Sequence, residues 1–257
     1  MRLTVLGTAS HYPTPASPCS GYLLEHDAAT VWVDAGPGTL AELQRHRDLT
    51  GLDAVWISHA HADHTADLLP LYYALAFGDL PAREPLPVFG PPDLRDRLLG
   101  FFGAGAARDL DRVFAFQSLA DRAGAVIGGL RLAWEPVEHD VPAWALRAQA
   151  GGVSLVYTGD AVLSPGLTAF AAGGNVLLAE AGADRADGSH LTPEDAGTLA
   201  TRARAGRLLL THLALGLEPA DAIARASTHF GGPVTAARPG DVVSVDPLSV
   251  AVPTVEG

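Results

Sequence analysis

Apolar positions along the chain change their period several times, and the changes mark its elements. Arg2 to Leu6, Gly21 to Glu25 and Thr30 to Asp34 are short runs rich in Leu, Val and Thr, which predict three strands, with Asp27-Ala28 turning between the last two. Pro37 to Arg47 predicts a helix with proline near its start. Leu52 to Ser58 is apolar and carries Val and Ile, so it reads as a buried strand, and it leads directly into His59. From Asp63 to Phe77, Leu68, Leu69, Leu71, Tyr72 and Leu75 recur at helical spacing and predict one helix. Leu86 to Phe89 (strand), Pro92 to Phe102 (helix) and a strand-rich stretch from Ala125 to Val137 follow. Trp144 to Ala148 and Ser154 to Thr158 read as a hairpin turning at Gly151-Gly152.

The second half alternates. Leu167 to Ala172, Pro193 to Ala205 (capped by Thr192) and Pro219 to Phe230 predict helices. Val176 to Glu180 and Arg207 to Thr211 predict strands, and Val234 and Asp241 to Val245 close the chain as strands. Strands interleaved with helices in both halves predict a layered α/β sandwich. No short-period repeat and no biased linker interrupts it, so residues 1–257 are expected to form a single domain.

Composition narrows the classes. A chain of 257 residues that is 48% apolar has ample material for a core. Cys19 is the sole cysteine, which excludes a disulfide framework and a Cys-rich zinc site. The run Met1 to Gly7 lacks the features of a signal peptide, and no apolar run is long enough to span a bilayer; a cytoplasmic enzyme without a membrane partner is expected. The net charge is -12 and all 17 basic residues are arginine. Such a surface disfavours long polyanions, because phosphate contacts dominate nucleic-acid affinity.

The chemistry is concentrated in five places, each a turn beyond an apolar segment. The first is His59-Ala60-His61-Ala62-Asp63-His64; the others carry His139, Asp160, His190 and His212. Three imidazoles and a carboxylate in six residues need partners if buried. At a strand-to-helix turn, His59 and His61 can point one way and Asp63 and His64 to a neighbouring position, so the run suits two metal ions. Neutral imidazole with carboxylate oxygen suits Zn²⁺, with Mn²⁺ or Fe as alternatives. His26, His46 and His229 lie outside the pattern and read as structural, whereas His11, in a Pro-rich loop, is a candidate to line the site.

The motif His59-x-His61-x-Asp63-His64, with His139, Asp160 and His212, resembles the metallo-β-lactamase superfamily over nearly the whole chain. The resemblance implies a four-layer αββα sandwich with metals at one edge of two sheets. It implies that one metal takes His59, His61 and His139, a second takes Asp63, His64 and His212, and Asp160 bridges them. Within the superfamily the chain is similar to the RNase Z-like phosphodiesterases. Asp160 stands where true β-lactamases use Cys, Trp144-Ala145-Leu146-Arg147 follows His139, and Ser189-His190-Leu191-Thr192 resembles the branch's extra histidine, thought to be a general acid. Ser20-Gly21-Tyr22-Leu23-Leu24 and Leu210-Thr211-His212 resemble its small bacterial cyclic-nucleotide phosphodiesterases.

Only twenty residues separate His139 from Asp160, enough for one hairpin, so the long arm of tRNA-processing members is missing. The expected function is therefore metal-dependent hydrolysis of a small anionic diester, such as a cyclic nucleotide, by a hydroxide bridging two Zn²⁺; tRNA is not expected as a substrate. In this scheme Asp63 orients the nucleophile, His190 protonates the leaving oxygen and Asp34 supports a ligand imidazole. Arg147 and His11 are candidate substrate contacts. Hydrolysis of a carboxylic ester, thioester or lactone is the alternative enzyme, and a metal-sensing module the non-enzymatic one. The loops Ala9 to Cys19 and Gly103 to Asp111 are candidates for substrate binding. Tyr72, Tyr73, Phe77, Phe101 and Phe102 form core or interface, and by analogy with the branch a homodimer is expected.

Overall fold

The computed structural model describes residues 1–81 and 83–247. The first half gives β1 (Arg2–Gly7), β2 (Gly21–His26), β3 (Ala29–Val33), α1 (Thr39–Leu43), β4 (Ala54–Trp56), α2 (Ala62–Thr65), α3 (Leu68–Phe77), β5 (Leu86–Gly90), α4 (Leu94–Phe102), α5 (Ala107–Val113) and β6 (Phe114–Ser118). The second half gives β7 (Gly124–Ile127), β8 (Leu130–Val137), β9 (Ala143–Ala150), β10 (Val153–Tyr157), α6 (Pro165–Ala171), β11 (Val176–Ala181), α7 (Pro193–Arg202), β12 (Arg207–Leu213), α8 (Pro219–Ser227), β13 (Val234–Ala236) and β14 (Val242–Ser244).

The strands form two seven-stranded sheets, ordered β14-β1-β2-β3-β4-β5-β6 and β13-β12-β11-β10-β9-β8-β7. Each sheet is antiparallel at one end and parallel at the other. Strands β3 to β6 pair in parallel in the first sheet, and β10 to β13 in the second. Side-chain alternation then sorts the core into three sheets of contact. Val31, Val33, Trp56, Trp134, Leu146 and Leu155 fill the space between the sheets. Trp32, Val55 and Ile57 face the other way, against α1, α3, α4 and α5. Val156, Leu177, Leu208 and Leu210 face α6, α7 and α8. The result is the expected α/β sandwich of four layers, αββα. Strands covered on both faces are why β4 and the stretches Val176 to Ala179 of β11 and Leu208 to Leu210 of β12 read as apolar runs.

Gly151 and Gly152 turn the β9–β10 hairpin with φ of 56° and 80°, the left-handed pair that a two-residue turn needs. Several expectations change. The helix expected over Asp63 to Phe77 is two helices, α2 and α3. Between them Asp67 is diverted, its backbone N–H donating to Ala35 O and its carboxylate accepting from Leu40 N at 2.7 Å. The helix expected over Pro37 to Arg47 is only Thr39–Leu43, and that over Pro193 to Ala205 ends at Arg202. Residues Gly103 to Asp111, expected as a loop, are largely helical: α5 buries Leu110 and Val113 in the outer layer of the first sheet. Strand β6 was not expected at all. No helix among the described residues is long and apolar enough to cross a membrane.

Candidate metal centre

The parallel strands deliver the chemistry. β3 leads into Asp34, β4 towards His59, β10 towards Asp160, β11 carries Glu180 near its end, and His212 lies near the end of β12. Ligands of α/β sheets collect outside the carboxyl ends of strands, and here both sheets contribute to one such edge. His59, His61 and His139 bring ligand atoms within 4.8 Å of one another, as do Asp63, His64 and His212. His59 Nε2 lies 3.0 Å from His61 Nδ1, and His139 Nε2 3.4 Å from the same atom. Asp160 Oδ2 stands between the groups, 3.7 Å from His59 Nε2 and 3.4 Å from both His64 Nε2 and His212 Nε2. All seven expected ligands therefore meet in one place, arranged as the two triads with Asp160 central.

Each ring is aimed by the nitrogen that faces away. His64 Nδ1 meets Asp34 Oδ2 at 2.8 Å, His59 Nδ1 meets Ser58 Oγ at 3.0 Å, His212 Nδ1 meets Ser20 Oγ at 2.9 Å, and His139 Nδ1 donates to Ser189 O at 2.9 Å. Such partners fix tautomer and orientation, as metal-ligand imidazoles need. Asp34 is fully buried and also accepts from Ser58 N, Ser58 Oγ and the Tyr157 hydroxyl, which comes from the opposite sheet. It reaches this position with a φ of 55°; His11 and His212 also have positive φ, at 64° and 47°. Non-glycine residues held there are strained, and three of the five in the described chain sit at this centre.

The donor set fits metal cations. His64 Nε2 and Asp160 Oδ1 are buried polar atoms without a hydrogen-bond partner among the described residues, a costly arrangement that a cation would relieve. Burial pushes the His59 pKa well below the ordinary range, the His64 charge adding to the effect, and burial also lowers His61. Burial brings His212 down to about 4 against the pull of Asp160. These rings stay neutral, as ligands must. Burial would raise Asp160, but His212 and His64 outweigh it and hold its carboxylate well below the usual range. His64 is the exception: burial lowers its pKa, but Asp160 and Asp34 outweigh that and raise it, so ligation at Nε2 must displace a proton.

His190 lies beside the centre, its Nδ1 3.8 Å from Asp160 Oδ2 and its ring 5.1 Å from that of His139. Sequence reasoning missed its partner. Glu180, fully buried, receives His190 Nδ1 at 3.1 and 3.2 Å and the N–H groups of Ala161, Gly182 and Leu191. The available signal was a carboxylate in the otherwise apolar strand Val176–Ala181, a position that burial makes costly without a partner. Burial raises Glu180 to about 7, with the His190 hydrogen bond pulling it back. Burial alone would lower His190, but the hydrogen bond and charge of Glu180 lift it to about 9. The pair keeps a proton next to Asp160.

The two candidate substrate contacts part company. His11 is at the centre: its backbone N–H donates to Asp63 Oδ2 at 2.9 Å and its ring centroid lies 6.4 Å from that of His212. Arg147 is not. Its guanidinium donates to Phe170 O, Ala172 O and Ser154 Oγ, tying the end of α6 to the outer face of the second sheet. Alternation along β9 turns Arg147 outward, and its role is to satisfy helix-end carbonyls.

Comparison with known proteins agrees with this geometry. The family model described as "Beta-lactamase superfamily domain" matches residues 29–213. An uncharacterized protein of Mycobacterium leprae is 33% identical over 253 residues, covering 95% of this chain and 89% of the relative. The probable metallo-hydrolase YhfI of Bacillus subtilis is 29% identical over 248 residues, covering 94% of this chain and 99% of the relative. Its crystal structure superposes with a TM-score of 0.84, covering 95% of this chain and 99% of that one. A ribonuclease Z of Ignicoccus hospitalis is 26% identical over 264 residues, covering 82% of this chain and 87% of the relative. The chain belongs to the metallo-β-lactamase superfamily, among relatives that include ribonuclease Z, and is a metal-dependent hydrolase.

Proposed function

We propose that this hydrolase cleaves a small anionic phosphodiester, such as a cyclic nucleotide, using two divalent cations, zinc foremost. The observation that carries this is the His190–Glu180 pair beside Asp160. An alkoxide is a poor leaving group, and an imidazole kept protonated at neutral pH is the group that cleavage of an unactivated P–O bond needs. His59, His61 and His139 would hold one cation, Asp63, His64 and His212 the other, with Asp160 between. When bound, such cations acidify water towards neutrality and offset charge on phosphoryl oxygens. Asp63 accepts a hydrogen bond from the attacking water and takes the proton that the water releases. As the water oxygen bonds to phosphorus and the P–O bond breaks, the His190 proton passes to the departing oxygen. Glu180 holds the ring in place before and after.

Two further features support a small substrate. The segment from His139 to Asp160 contains one hairpin, β9–β10, and no protruding arm. The chain's -12 charge disfavours RNA. Zinc-loaded protein should hydrolyse cyclic nucleotides and bis(p-nitrophenyl) phosphate. No diester turnover above a metal-free control, with turnover in a parallel panel of esters, thioesters and lactones, would transfer the assignment to carbonyl substrates.

We also assign the exposed aromatic face of α3 and α4 to contact with a second copy of the chain. Tyr73, Phe77 and Phe101 are 54%, 65% and 68% exposed and continue onto Tyr72 and Phe102. Monomers seldom leave such a patch uncovered. Light scattering should give twice the 26.6 kDa chain mass, and a Phe77→Ser, Phe101→Ser double variant should give one chain. A monomeric native protein would end this assignment.

A further inference from the structure

The loop after β1 is anchored against the metal centre on both sides. Ala9 bridges in parallel to Leu213 and Cys19, and the buried Ser10 hydroxyl donates to Leu213 O at 2.8 Å, one residue beyond His212. Thr8 and Ala9 N–H groups donate to Pro18 O, closing the loop's base. At the tip, Tyr12 N–H donates back to Ser10 O at 2.7 Å, a three-residue turn with His11 at its centre and a φ of 64°. This turn directs the His11 N–H onto Asp63 Oδ2. A glycine would make the same turn without strain. The chain nevertheless carries a histidine, exposed at the mouth of the site, whose ring makes no hydrogen bond among the described residues. Its plane is inclined 27° to that of His212. His190, the proton donor already assigned, also lies against His212, with rings 5.9 Å apart. Two rings that are not needed as ligands thus flank one ligand imidazole, and only one of them has a role.

We propose that His11 is a substrate-contacting residue, whose ring N–H donates to a charged oxygen of the phosphoryl group. This rests on the phosphodiester assignment above. Strain that persists at a functional site is paired with a task there, and the turn and the N–H bond to Asp63 fix the His11 backbone so that its unpartnered ring lies beside that of His212. The ring sits on the side of Asp63 and His212, so it meets the phosphoryl group where His190 does not.

The residue's strained backbone provides the test. His11→Gly keeps the turn and the N–H to Asp63 but removes the ring. His11→Asn tolerates the same backbone and restores an N–H donor. With zinc-loaded full-length protein, His11→Gly should melt at the same temperature as the parent or a few degrees higher. Its kcat/KM on bis(p-nitrophenyl) phosphate and on adenosine 3′,5′-cyclic phosphate should fall about tenfold or more, chiefly through KM, as loss of a hydrogen bond to a charged group implies. His11→Asn should recover part of the loss. Calorimetry with inorganic phosphate gives a second readout, and His11→Gly should bind it more weakly by a similar factor. Unchanged KM and phosphate affinity in His11→Gly overturn the inference, as does a lower melting temperature with a loss that His11→Asn leaves uncorrected. If the parent cleaves no diester, the phosphodiester assignment fails on its own, and the phosphate titration still decides the role of His11.

Discussion

A carboxylate with no water around it governs the imidazole that it touches. Glu180 ionised favours the charged form of His190, and that preference exceeds the penalty of burial. The sign for catalysis follows. A group whose pKa is raised keeps its proton below that pKa, so the acid is present through neutrality and is lost as pH rises through about 9. Glu180→Gln keeps the shape and removes the charge; burial is then opposed only by Asp160 and Asp187, and the His190 pKa falls. The basic limb of the kcat profile should move to lower pH. At pH 8 the loss should be about tenfold on alkyl diesters and far smaller on p-nitrophenyl diesters, whose leaving group needs no proton. His190→Ala should reproduce this leaving-group dependence. An unmoved basic limb in Glu180→Gln would show that the proton resides elsewhere. Among the residues that touch the rings, neither Ser20 nor Ser58 was legible as an imidazole partner, because a serine that supports an imidazole looks like any other until the two are brought together in space.

Elements explain what the sequence could and could not reveal. The seven candidate ligand positions were legible because each comes after an apolar segment, and an apolar segment followed by a polar side chain places it at a sheet edge. Glu180 was hidden because it reads as the last residue of its strand, whereas β11 continues through Ala181. Arg147 misled because nearness in sequence to His139 says nothing about the side of β9 that a residue takes. The break between α2 and α3 was hidden because the apolar period carries across it, and only the tertiary bond from Asp67 to Leu40 stops the helix. The glycine after β11 now acquires a meaning. A Cβ on Gly182 would lie 2.7 Å from Glu180 Oε2 and 2.9 Å from His190 Nδ1, closer than packing permits. Gly182→Ala should therefore part the pair and lose activity with the leaving-group pattern of Glu180→Gln, while its zinc content stays at the parent's level. Loss of zinc together with activity would mean that the strand end, not the pair, had been disturbed.

The whole molecule is two sheets joined by a core and, at one edge, by polar contacts. The first sheet sends His59, His61, Asp63 and His64 to that edge, and the second sends His139, Asp160 and His212. Direct bonds cross there too, from Tyr157 to Asp34 at 2.8 Å and from Tyr22 to Thr211 at 2.7 Å. A cation bound at this edge would belong to both sheets, would satisfy His64 Nε2 and Asp160 Oδ1, and would offset carboxylate charge in a chain that carries -12. Its hold on the unfolded chain would be weaker, because His139, Asp160 and His212 are there far from the run His59 to His64. At a hundred times its Kd a ligand of the folded state alone adds about 2.7 kcal/mol. For a chain of this size that is about 5–10 °C in Tm. Removing metal with a chelator should lower Tm by about this amount in a single transition, and about two equivalents of zinc should restore it. Protons compete for the same atoms. Burial lowers the His64 pKa but Asp160 and Asp34 raise it further, so His64 must release a proton on ligation, and the zinc-dependent rise in Tm should be smaller at pH 6 than at pH 8. A Tm that ignores the chelator would mean that the sheets close without metal. A transition that splits in two on its removal would mean that they fold independently, and that the core between them, from Val31 to Leu155, is not enough to couple them.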